Sequence, residues 1–101
     1  MERYLNTGIK VKVIEEIKAF AVKYDIRKVI LFGSRARGDY RERSDIDLAI
    51  KGGKGDWFAL DVDEQTSTLL MFDIVNMEKP VQSELLELIE REGMVIYESM
   101  A

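Results

Sequence analysis

Two aspartates one residue apart open an apolar run, Asp45-Ile46-Asp47-Leu48-Ala49-Ile50. Side chains on a strand alternate between faces. Asp45 and Asp47 therefore point the same way, about 6–7 Å apart, while Ile46, Leu48 and Ile50 point into a core. Two carboxylates on one face repel each other and raise one pKa. A hard divalent cation such as Mg²⁺ relieves that repulsion by taking carboxylate oxygens as ligands. The spacing also suits a pair of metal ions about 3.5–4 Å apart, the clamp used for in-line phosphoryl displacement.

Ten residues upstream of this pair an earlier apolar run ends at Leu31-Phe32-Gly33-Ser34. With no Cβ, Gly33 lets the backbone approach a bulky anion and adopt unusual dihedrals. The N–H groups after it, at a strand-to-helix turn, would face a phosphate, and Ser34 adds a hydroxyl donor. One short segment thus offers a phosphate cradle beside a metal platform. A third carboxylate, Asp73, interrupts the apolar stretch Leu70-Met71-Phe72-Asp73-Ile74-Val75. A carboxylate among such neighbours is costly unless it is paired or on a metal. A salt bridge at a strand end is the plainer account; two aspartates upstream favour the metal.

Gly33-Ser34, ten residues, then Asp45-Ile46-Asp47, with Asp73 on a later strand, resembles the signature of minimal nucleotidyltransferases of the DNA polymerase beta-like superfamily. The resemblance covers nearly the whole chain. It implies transfer of a nucleoside monophosphate from an NTP to an acceptor hydroxyl, with release of pyrophosphate. By that likeness Gly33 and Ser34 hold the β- and γ-phosphates, and Asp45 and Asp47 bind two Mg²⁺ ions. Asp73 shares one metal near the acceptor oxygen.

The loop between the two halves of the motif carries Arg35, Arg37, Arg41 and Arg43, interleaved with Asp39 and Glu42. It reads either as a solvated loop or as a cluster that meets a triphosphate, since Arg makes forked contacts to phosphate. Arg35 and Arg37 lie nearest Gly33 and are the nucleotide-binding candidates. The glycine-lysine stretch Lys51-Gly52-Gly53-Lys54-Gly55 is not a phosphate loop, because the GxxxxGK[ST] order is absent.

Composition narrows the classes. The chain has 101 residues, 47% of them hydrophobic, and one proline, which suits a single folded domain over residues 1–101. There is no cysteine and no histidine. Disulfide and thiol chemistry are excluded, a cytoplasmic setting fits, and acid–base work falls to carboxylates. A net charge of −4 argues against broad non-specific nucleic-acid binding. No apolar run approaches the ~20 residues of a membrane span, and the N-terminus lacks a signal peptide's apolar stretch.

The elements must hold the motif in place. Val13, Ile17, Phe20 and Tyr24 recur at helical spacing within residues 9–24, with Thr7 as a candidate cap. Residues 28–32 and 44–50 read as strands around a loop with a helical turn at 34–37. Asp56 is a candidate N-cap for a short helix in which Trp57 anchors the core. Residues 68–75 form a third strand. Pro80 suits the first turn of a last helix with Leu85, Leu88 and Ile89 inward, and Met94 to Tyr97 is a final strand. The expected fold is α+β: a mixed sheet of about four strands, helices on one face, carboxylates on the other.

Polymerases and other large members of the superfamily carry further domains for their acceptors, whereas here the catalytic core takes up almost the whole chain. The resemblance supplies a partner: such small proteins are often antitoxins of helical HEPN-domain toxins, and transfer AMP from ATP to a tyrosine. An oligomer, with itself or with that partner, fits the same reading. Three alternatives stand beside it: an antitoxin acting by contact alone, a stand-alone nucleotidyltransferase for a small molecule or RNA end, and a structural domain whose paired aspartates cap a strand.

Overall fold

A computed structural model describes residues 6–100. Chain order is α1 (Val11–Lys23), β1 (Lys28–Phe32), α2 (Ser34–Arg37), β2 (Ile46–Lys51), α3 (Gly55–Gln65), β3 (Phe72–Asn76), α4 (Ser83–Glu92) and β4 (Met94–Glu98). The four strands form one sheet in the order β3-β2-β1-β4. β1 is antiparallel to both β2 and β4, and β2 runs parallel to β3. The parallel pair needs a crossover, which α3 supplies.

The middle strands are apolar on both faces because both faces are covered. Val29, Leu31, Ile46, Leu48 and Ile50 pack on one side against Val13, Ile14, Ile17 and Ala21 of α1 and Phe58 and Val62 of α3. Ile30, Phe32 and Ala49 pack on the other against Ile89, Leu85 and Leu88 of α4. The expected mixed sheet is present, but its helices are shared between the two faces. α4 covers the far part of the face that carries the aspartates, because Ile30, Phe32 and Ala49 would otherwise be bare there.

Local details differ from the sequence reading for identifiable reasons. Helix α1 starts at Val11 with Lys10 before it and no side-chain cap. Thr7 instead accepts the Ile9 N–H on its hydroxyl at 3.1 Å, fixing the approach to the helix. Helix α3 begins at Gly55, with Lys54 rather than Asp56 at the cap position. Trp57 is not a core anchor; it is 60% exposed, and Phe58 beside it is the buried aromatic. Pro80 lies ahead of α4 rather than in its first turn. Asp45 stands one residue before β2, and β3 begins only at Phe72.

Candidate active site

The site forms where β1 ends and β2 and β3 begin. Phe32, the last residue of β1, is the register partner of Asp47 on β2. Asp47 is in turn the register partner of Asp73 on β3. Neighbouring strands lie about 4.8 Å apart, so the two carboxylates stand side by side on one face. Asp45 and Asp73 are exposed and Asp47 is half-buried. Burial pushes the Asp47 carboxyl up to about 6, and the charges of Asp73 and Asp45 push the same way, against a smaller opposite pull from Arg37. The charges of Asp45 and Asp73 therefore act on Asp47.

Gly33 follows directly after Phe32. Its φ of 78° and ψ of −158° lie in a region open essentially to glycine alone. A Cβ built on it would run into the Asp47 carboxylate. The missing side chain thus lets the Asp47 carboxylate lie directly against the Gly33 backbone. Gly33 is the N-cap of α2, whose first N–H groups have no partner within the helix. Ser34, half-buried, is the first helical residue.

The two candidate arginines part company. Arg37 stays at the site: it is partly exposed, pairs with Asp39 and with Glu92 of α4, and its charge acts on Asp47. Arg35 turns inward and is 2% exposed. Its guanidinium donates from Nε to the Ser44 carbonyl at 3.0 Å, from Nη1 to that of Thr7 at 2.8 Å, and from Nη2 to that of Glu42 at 3.1 Å. It also lies over the Tyr40 ring, 4.7 Å from its centre. Arg35 therefore does not reach outward as a phosphate ligand. It clamps the loop that delivers Asp45. Nothing in the spacing of the loop arginines separates the clamp from the outward group; burial does. Glu92 is the residue that the sequence reading missed, since it comes from another helix 55 residues away.

Among the described residues no three carboxylates close into a ready-made metal cage. Mg²⁺ in phosphoryl-transfer sites takes one or two carboxylates and completes its shell with substrate phosphates and water. A row of aspartates, two of them exposed and the third raised by burial and by their charge, has the donor chemistry for that ion. A separate groove of about 680 Å³ has walls that include Ile9, Val13, Arg43 and Met71 and none of the three aspartates. Leu69 and Met71 are exposed at this end of β3.

Residues 15–100 match the family described as Polymerase beta, Nucleotidyltransferase. The chain belongs to this nucleotidyltransferase family. A protein of Methanocaldococcus jannaschii, named as a candidate protein adenylyltransferase (MJ0604), is 46% identical over 67 residues. That stretch is 63% of this chain and 65% of the relative, so the chain spans just under two thirds of the relative's length. Among solved structures, a toxin–antitoxin with AMP-PNP superposes with a TM-score of 0.68 at 16% identity, over 86% of this chain and 74% of that one. A nucleotidyltransferase candidate from Sulfolobus solfataricus superposes with a TM-score of 0.56 at 21% identity, over 95% and 87%. At these identities the superpositions establish the nucleotidyltransferase fold. Among the described residues no helix of this nucleotidyltransferase is long and apolar enough to cross a membrane.

Proposed function

We propose that this chain transfers AMP from ATP to a hydroxyl of a partner protein, a tyrosine of a HEPN-domain toxin, and so acts as its antitoxin. The observation that carries the reading is the in-register pair Asp47 and Asp73 beside Gly33, whose absent Cβ lets the Asp47 carboxylate lie directly against the backbone of the turn. The 46% identical relative named for protein adenylylation and the toxin–antitoxin neighbours support the acceptor class.

The roles follow from placement. The Gly33–Ser34 turn and Arg37 bind the β- and γ-phosphates. Asp45, Asp47 and Asp73 hold Mg²⁺, which when bound neutralises charge between carboxylates and triphosphate. The acceptor oxygen bonds to the α-phosphorus, the bond to the β-phosphate's bridging oxygen breaks, and pyrophosphate leaves. The acceptor's proton passes to a carboxylate oxygen of Asp73, which stands exposed on an edge strand where an acceptor has access. Positioning and charge neutralisation provide most of the rate.

Asp73→Asn provides the test. The variant is expected to keep its fold and its hold on the partner while losing transfer by at least about a hundredfold, the usual weight of a proton-transfer group. Co-purification with the toxin, followed by a toxin-activity assay with ATP, reads both. Full protection by Asp73→Asn would mean that contact alone neutralises the toxin.

A further inference from the structure

Arg37 is the outward-facing cation of the site, and a long side chain on a four-residue helix has no fixed direction of its own. Two carboxylates hold it. Asp39, 64% exposed at the side chain, takes the Nε hydrogen at 3.2 Å. Glu92, 14% exposed, takes an Nη1 hydrogen at 2.8 Å. The two partners differ in rigidity. Asp39 is on a loop just after Gly38. Glu92 ends α4, which is anchored by buried Ile89 against Ile30, Phe32 and Ala49, and is joined to β4 by Gly93 alone. The Gly93 N–H closes the helix end on the Ile89 carbonyl at 2.8 Å. The link from α4 thus ties Arg37 to the sheet face that carries the aspartates.

As a stability device this pair is minor, because partly exposed ion pairs contribute little. As a positioning device it is well suited. An Arg loses substantial rotamer freedom when it is fixed, and fixing it before the ligand arrives removes that loss from binding. Among the described residues the Nη2 edge of Arg37 makes no hydrogen bond. The Arg37 side chain is 40% exposed, so an anion can reach it while Glu92 holds Nη1.

We propose that Glu92 is a positioning residue: through its bond to Arg37 Nη1 it presets the guanidinium for the triphosphate of the incoming nucleotide. The inference rests on the proposed nucleotidyl-transfer reading. Calorimetric titration of the full chain with ATP and Mg²⁺ tests it, using wild type, Glu92→Ala, Glu92→Gln, Arg37→Ala and the double variant Arg37→Ala/Glu92→Ala. Glu92→Ala is expected to weaken ATP binding about tenfold. Glu92→Gln keeps an acceptor oxygen and is expected to lose less. In the Arg37→Ala background, Glu92→Ala is expected to change nothing further. A merely structural glutamate would give equal losses in both backgrounds, and that result, or wild-type affinity in Glu92→Ala, overturns the proposal. Should Glu92→Ala fail to fold, Glu92→Ser, too short to reach Arg37, takes its place in the same cycle. ATP binding absent in wild type overturns the nucleotidyl-transfer reading together with the inference. ATP binding present in wild type with additive losses overturns the inference alone.

Discussion

At the scale of single residues, the site depends on one missing side chain and one uncomfortable charge. Gly33 holds a conformation that costs other residues about 1–3 kcal/mol, and a methyl there collides with Asp47. Gly33→Ala is expected to destabilise the fold by that amount and to abolish ATP binding; a urea melt and a titration measure the two effects. Retained binding would show that the close approach of Asp47 to Gly33 is not needed to hold the nucleotide. Asp47 makes the opposite prediction for stability. Its carboxyl is raised from 3.8 to about 6 in the folded state, so the folded chain holds that proton more tightly than the unfolded one. The metal-free protein therefore loses stability from this group as pH rises from 3.8 to about 6, and the loss is complete above that. Asp47→Asn, which cannot ionise, should melt higher than wild type at pH 7.5 and close to it at pH 4, while losing transfer. A melting temperature below wild type at pH 7.5 would show that Asp47 supports the fold instead of straining it. Both residues were readable from the sequence, because strand alternation and the steric exclusivity of glycine are local rules.

At the scale of elements, the loop from α2 to β2 is held by its own arginine. Arg35 serves three carbonyls, of Thr7, Glu42 and Ser44, and so fixes the segment that ends in Asp45. Removing it takes a donor from each of those carbonyls, at about 1–3 kcal/mol for one left buried and unsatisfied. Arg35→Ala is expected to cost about 2–4 kcal/mol in chemical denaturation. Arg35→Lys should recover less than about half of that loss, because a compact ammonium does not span three carbonyls as a planar fork does. A near-neutral Arg35→Ala would mean that the loop is fixed by other contacts. This division of labour was not legible beforehand. Four arginines share one loop, and which of them turns inward depends on Thr7 and Tyr40, contacts that only the folded chain makes. The pairing of Arg37 with Glu92 was hidden for the same reason, since periodicity marks α4 as amphipathic without saying which sheet face it covers.

At the scale of the whole molecule, a small mixed sheet presents its carboxylates at the end where three strands meet, with exposed Leu69 and Met71 ahead of β3. The number and order of the elements followed from hydrophobic periodicity, and β2, α3 and β3 form the crossover that brings Asp73 next to Asp47. The distribution of helices over both faces did not follow, because it depends on which apolar strand residues remain to be covered. On the proposed reading the aspartate row, in a chain of net charge −4, accepts a triphosphate only with a cation, and binding should fall when Mg²⁺ is chelated. The central claim is that the α-phosphate, with its nucleoside, goes to a protein hydroxyl. The most direct measurement compares ATP labelled at the α-phosphate with ATP labelled at the γ-phosphate, each incubated with Mg²⁺, this chain and its partner toxin. The account predicts that the α-label becomes bound to the partner while the γ-label is released as pyrophosphate, and that Asp73→Asn transfers neither. Label on the partner from γ-labelled ATP, or none from either with the wild-type chain, would contradict it.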